Sequence, residues 1–195
     1  LANKEANLLF GLYSDYKDSD QAHCKADAPL LDAVTRCIED LNKRYGSERF
    51  FLLHRERKWS ESEQQFIGWE RKRGKLEELN RLISGMQPQN AGKLVYVGDP
   101  AHLYNIRFVI TLDSDTQLPL DTARMMIETL AHPLNQPRMD ISGNILPGTY
   151  TIIQPRVTPS LPSTSATLFS RLFSEAVGID PYTKAVSDIN QDLTG

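Results

Sequence analysis

Between residues 8 and 14 the chain reads LLFGLYS, an apolar run that stops at a polar cluster of Asp15, Lys17, Asp18, Ser19 and Asp20. A short apolar block bounded by loop-forming residues predicts a buried strand that runs into a loop. From Pro29 the period changes: Leu30, Val34, Cys37, Ile38, Leu41 and Tyr45 recur at three- and four-residue steps, with Gly46 just past the end. That spacing predicts an amphipathic helix. RFFLLH (49–54) predicts the next strand, and after a polar, tryptophan-bearing stretch KLEELNRLI (75–83) sets Leu76, Leu79, Leu82 and Ile83 on one helical face before Gly85. KLVYVG (93–98) and RFVITL (107–112) are short β-rich runs. Pro119 to Leu130 predicts a third helix that buries Ala123, Met126, Ile127 and Leu130. TYTIIQ (149–154) predicts a strand, PRVTPSLPSTSA a surface loop, and LFSRLF the centre of a last helix.

Strands alternating with helices predict an α/β layer fold with a mostly parallel sheet, whose ligands collect at the carboxyl ends of strands. Asp15 and Asp113 fall at such ends. With 195 residues, 40% hydrophobic and 24% charged, the chain suits one packed domain. A formal charge of −3 provides no global field for nucleic acid or an anionic membrane. Cys24 and Cys37 lack CxxC spacing, and the four histidines form no ligand pair, so a soft-metal site is not expected. No stretch reaches the length of a membrane span, and the N-terminus LANKEANLLF has no signal-peptide pattern. The sequence is expected to be a segment of a longer protein, truncated at both ends.

The stretch most charged with chemistry is ITLDSDTQLP (110–119), an apolar run ending in Asp113 and Asp115. If the strand continues past Leu112, side chains at i and i+2 converge, and their hard oxygens suit a divalent metal (Mg or Mn) completed by water and substrate phosphates. The bland alternative is an Asp-rich turn. A dehalogenase-like phosphatase using Asp113 as nucleophile is a weaker reading, because its DxDx[TV] pattern meets Gln117 at the fifth position and Thr116 one place early. The basic run RKRGK (71–75) stands before a helix, where the macrodipole disfavours cations unless they share an anion. It is not a P-loop: five residues rather than four intervene between Gly68 and Gly74, and Leu76 replaces the metal-binding hydroxyl residue. YSDYKDSD (13–20) offers carboxylates of the kind that accept hydrogen bonds from a base or ribose, or form Asx turns. Asp188 and Asp192 share a predicted helical face, and Trp59 or Trp69 is either core or a sugar platform.

Taken in order, GLYSDYKDSD, HRERKW, GWERKRGKLEELNRLISG, ITLDSDTQLP, AHPLN, IIQPRVTPSLPS and GIDPYTKAVSDINQDL resemble the glycosyltransferase region of cyclic β-1,2-glucan synthases across essentially the whole chain. That family is related to the processive, inverting family 2 transferases. The resemblance implies a Rossmann-like GT-A glycosyltransferase domain, partial over 1–195, with a nucleotide-binding half to about residue 118 and the start of an acceptor half from about 119. It implies that Asp15 lies against the uridine, that Lys75 and Asn80 stand beside the nucleotide, and that Asp113 and Asp115 hold ribose and metal. It sets Gln154 and Arg156 near the acceptor. The implied partners are UDP-glucose, a β-1,2-glucan acceptor and the remaining domains of the parent chain. The parent is expected at the cytoplasmic face of the bacterial inner membrane, with no membrane contact by this segment. The general base is expected beyond residue 195, which leaves the fragment without turnover. The rival from another class is a non-catalytic scaffold that binds a nucleotide-sugar or a partner domain.

Overall fold

Two parallel strands set the geometry of everything that follows. A computed structural model of the chain describes residues 3, 5–45, 48–86, 94–104, 106–147 and 149–155. Strand β1 (Phe10–Asp15) runs into helix α1 (Asp27–Tyr45), which returns the chain to strand β2 (Phe50–Arg55). The strands pair in parallel from Phe10 opposite Phe50 to Asp15 opposite Arg55. Parallel strands need a crossover of this kind, because no short turn can bring the chain back to the same end. Strand β3 (Lys58–Ser60) and strand β4 (Gln65–Ile67) follow as a separate antiparallel hairpin, which leads to helix α2 (Arg71–Ile83). Strand β5 (Val95–Val97) then joins the other edge of β2, antiparallel to it.

Because side chains alternate along a strand, the register sorts them between two layers. Phe10, Phe50 and Leu52 pack with Leu31, Val34, Ile38 and Leu41 of α1. Phe51, Leu53 and Tyr13 pack with Leu79 and Leu82 of α2. The central strand β2 is buried at all six positions, as a strand covered on both faces and both edges must be. Its continuous apolar reading FFLL follows from that, and the terminal His54 and Arg55 are the polar residues the burial has to accommodate. Asp15 and Arg55 belong to the face that α2 covers. One position earlier on each strand, on the opposite face, stand Ser14 and His54, whose Oγ and Nδ1 are 3.0 Å apart.

Several expectations change here. The three-stranded sheet is mixed, with one parallel and one antiparallel pairing, so it is not mostly parallel among the described residues. The polar stretch between β2 and α2 holds the β3–β4 hairpin, in which Trp59 meets Phe66 edge to face at 5.2 Å. Helix α2 starts four residues earlier than its apolar pattern, because RKRGK forms its opening turn. Residues 107–111 keep an in-and-out alternation of exposure, which Leu112 breaks, yet 107–112 join no sheet, since β-rich composition cannot make a strand without a partner edge. Residues 149–154 likewise form no strand.

The chain divides into two compact units, Leu1–Leu120 and Asp121–Gly195. In the second, helix α3 (Thr122–Ala131) follows Asp121 in a left-handed conformation, and Met139 and Ile145 bridge across a turn. Asp140 closes that turn by accepting from the amides of Ser142 and Asn144. The predicted loop from 156, the helix around LFSRLF and Asp188 and Asp192 lie outside the described residues. No helix among the described residues is long and apolar enough to cross a membrane.

Candidate functional site

The parallel register delivers Asp15 to Arg55 at the carboxyl end of the sheet. Arg55 donates through Nε to Asp15 Oδ1 at 2.8 Å and through Nη2 to Oδ2 at 3.2 Å. Nη1 and Nη2 also donate to the carbonyls of Trp69 and Arg71, both at 2.9 Å. The arginine side chain is 2% exposed, so a guanidinium that cannot be neutralised must find all its partners inside. Lys75, from α2, brings Nζ to 3.4 Å from Asp15 Oδ2. Two glycines clear the space for this contact. A Cβ on Gly68 would stand 2.7 Å from the Asp15 carboxyl carbon, and one on Gly74 would stand 2.0 Å from the Trp69 carbonyl oxygen and 2.8 Å from Arg55 Nη1. Between them, Glu70 and Arg71 adopt φ of 50° and 47°. Left-handed backbone at non-glycine residues is costly, and here it is held by the carbonyls that Arg55 draws inward.

The basic run that the macrodipole should disfavour is now explained, because each of its cations meets a carboxylate. Arg71 pairs with Asp18 at 2.7 Å and with Glu63. Lys72 pairs with Asp113 at 2.5 Å, Arg73 with Glu70 at 3.4 Å, and Lys75 with Asp15. YSDYKDSD, RKRGK and ITLDSD, far apart in sequence, therefore gather around the first turn of α2. The pairing holds Arg71 further toward its charged form, chiefly through the hydrogen bonds it donates to Asp18 and Glu63. The cluster is close to electroneutral, and an incoming anion would have to share or displace a carboxylate.

Of the residues singled out in the sequence, Asp15 and Lys75 are brought together, and Asp113 joins them through Lys72. Asp113 and Asp115 are exposed on a turn closed by the Thr116 amide donating to the Asp113 carbonyl at 3.0 Å. They do not extend a strand, so the expected i, i+2 convergence loses its geometric basis. Their oxygens are the right type for Mg or Mn, but no group of three or more His, Cys, Asp or Glu among the described residues is arranged to hold a metal. Asn80 stands five residues beyond Lys75, about 140° around the helix, which takes it to another face. There it is exposed, in a shallow depression with Leu76, Arg81 and Met86. Gln154 is exposed in the second unit, and Arg156 lies outside the described residues.

No family model matches the chain. Against characterised proteins, it is 41% identical over 202 aligned positions to the cyclic beta-(1,2)-glucan synthase NdvB of Rhizobium meliloti (strain 1021). The chain resembles one segment of a cyclic β-(1,2)-glucan synthase. The match takes in all of this chain and 7% of that relative.

Within this synthase-like segment, sequence reasoning missed the two arginines of HRER. Arg57 makes a bidentate pair with Asp27, Nη1 to Oδ2 at 2.6 Å and Nη2 to Oδ1 at 3.0 Å, and also reaches the carbonyls of Lys17 and Ala22. The Arg57 hydrogen bond pulls the Asp27 carboxyl down to about 2. Asp27 in turn accepts from the Cys24 amide at 2.7 Å, fixing the start of α1. The usable signal was two arginines placed directly after a buried apolar strand, where each guanidinium needs a carboxylate from elsewhere. Next to them, burial lowers the affinity of His54 for a proton and raises that of the Tyr13 hydroxyl.

Proposed function

We propose that the chain is the donor-binding part of an inverting glucosyltransferase that moves glucose from UDP-glucose to the 2-hydroxyl of a growing β-1,2-glucan. The observation that supports this most is the union of Asp15 with Lys75, from β1 and α2, elements separated by α1, β2 and the hairpin, in a chain resembling a glucan synthase over its whole length. In this reading the fold is a partial GT-A domain, with the nucleotide half ending near residue 118 and an acceptor half beginning near 119, where Gln154 and Arg156 would serve. The parent would work at the cytoplasmic face of a bacterial inner membrane.

The residue chemistry is specific. An ionised carboxylate has about four acceptor sites, and Arg55 and Lys75 leave Asp15 room for one more donor, such as the imide N–H of a uracil. Lys75 and Lys72 are cations with slack, ready to turn from carboxylate to diphosphate. Asp113 and Asp115 would hold Mg or Mn with phosphate oxygens completing the shell, and the ion would offset charge on the departing UDP. Deprotonating the acceptor hydroxyl needs a carboxylate base, which we assign to the parent chain beyond residue 195.

Titration with UDP, with and without Mn²⁺, tests the proposal. Metal-dependent binding that Asp115→Ala weakens is the expected result. Binding indifferent to both metal and Asp115 supports the second reading, a nucleotide-sugar or partner scaffold, which the Lys72 cap on Asp113 favours.

A further inference from the structure

We propose that Arg55 is the positioning residue of this site: it holds the Asp15 carboxylate and the opening turn of α2 in the one arrangement that lets both face the same ligand. The inference rests on the nucleotide reading above for its ligand, and on geometry alone for the positioning.

Three features carry it. First, the guanidinium joins two elements rather than one. Nε and Nη2 take the two oxygens of Asp15 at the end of β1, while Nη1 and Nη2 take the carbonyls of Trp69 and Arg71 at the start of α2. Second, the surroundings are cut to fit it. Gly74 has no room for a Cβ beside Arg55 Nη1, Gly68 has none beside Asp15, and Glu70 and Arg71 hold left-handed backbone. Third, what it fixes is what the ligand would touch. Lys72 and Lys75 ride on that turn, and Asp15 is the shared carboxylate. A lysine at 55 keeps the charge but is a point donor on a flexible stem, and it cannot span four oxygens on two elements. Arg57 provides the matched comparison, since it is equally buried in character and pairs with an aspartate, yet its partners are Asp27, Lys17 and Ala22.

The test compares Arg55→Lys with Arg57→Lys in the whole chain, below the melting temperature of each. With UDP as probe, Arg55→Lys is expected to weaken binding by about tenfold or more, as loss of a charged, bidentate contact implies, while Arg57→Lys stays near wild type. In parallel, hydrogen exchange follows the amides of Arg71 and Gly74, which bond to the carbonyls of Gly68 and Glu70. Arg55→Lys is expected to speed both by about tenfold, and Arg57→Lys neither. Should Arg55→Lys fail to fold, Gly68→Ala, which presses on Asp15 while keeping Arg55, is expected to give the same loss of UDP binding. Wild-type exchange at Arg71 and Gly74 in a folded Arg55→Lys overturns the positioning role. Wild-type UDP affinity with loosened amides also overturns it, because the turn would then be held for stability alone. If the unaltered chain binds no UDP, the nucleotide reading falls, and accelerated exchange confined to Arg55→Lys still upholds Arg55 as the organiser of the turn.

Discussion

Arg55 and Arg57 leave the same end of β2 and each grips an aspartate, but the two pairs are finished differently. Arg57 and Asp27 close on each other, and the spare capacity of Asp27 goes to the Cys24 amide that starts α1. The Tyr16 ring lies 4.9 Å from the Arg57 guanidinium and seals one face. Arg55 and Asp15 are equally buried, yet Asp15 is shared with a lysine on a helix terminus and backed by a glycine whose side chain has been cleared away. Both pairs satisfy the same electrostatic demand. Only one leaves a carboxylate beside cations that can change partners, and that leftover capacity marks a site better than burial does.

The largest effect is expected from breaking the open pair outright. Arg55→Met removes a buried guanidinium and leaves Asp15 with Lys75 alone, at a cost of about 3–5 kcal/mol in urea unfolding. Arg57→Met is expected to destabilise as well, but without disturbing the opening turn of α2. If the two variants loosened the same amides, the distinction between the pairs would collapse.

A smaller loss is expected at Gly74. A methyl there meets the Trp69 carbonyl at 2.0 Å, and because the obstacle is backbone the turn itself must move. Gly74→Ala should cost about 1–3 kcal/mol and lower UDP affinity together with stability. Retained affinity in a destabilised variant would mean that the turn and the ligand are independent.

Acid separates the closed pair from its surroundings. The Asp27 carboxyl is held at about 2, chiefly by Arg57, against an ordinary 3.8. A depressed folded value contributes stability that is complete above 3.8 and disappears as pH falls toward 2. His54 acts in another window: burial lowers its affinity for protons, so stability falls as pH drops through its ordinary 6.5. Unfolding midpoints measured from pH 7 to 2 should show both declines, and Asp27→Asn should remove only the lower one.

How much of this was legible beforehand depended on whether the determinant was local. Periodicity located α1, α2 and α3, and apolar runs located β1, β2 and β5, because each is written within a few residues. The β3–β4 hairpin escaped, since QFI and KWS are too short and polar to announce strands. RFVITL reads as a strand but pairs with nothing among the described residues, because strand formation is settled by a partner edge elsewhere in the chain. At the site, Asp15 and Lys75 were visible through resemblance. Arg55 was not, because its importance lies in four oxygens on two other elements. Asn80 was paired with Lys75 by motif, although helical geometry alone would have set them on different faces.

The Lys72–Asp113 contact is expected to have the smallest effect on stability and to be the most informative about ligands. Both side chains are about 60% exposed (60% and 62%), so solvent screening leaves the pair worth about 0–1 kcal/mol. A double-mutant cycle with Lys72→Ala and Asp113→Asn should therefore give a coupling near zero in unfolding experiments. The same cycle read by UDP binding should not. If Lys72 turns to the diphosphate when donor arrives, Lys72→Ala loses affinity, Asp113→Asn loses metal dependence, and the two changes couple. A contact too weak to hold the fold would then be one the ligand rearranges, whereas zero coupling in both measurements would return Asp113 to the status of a solvated turn.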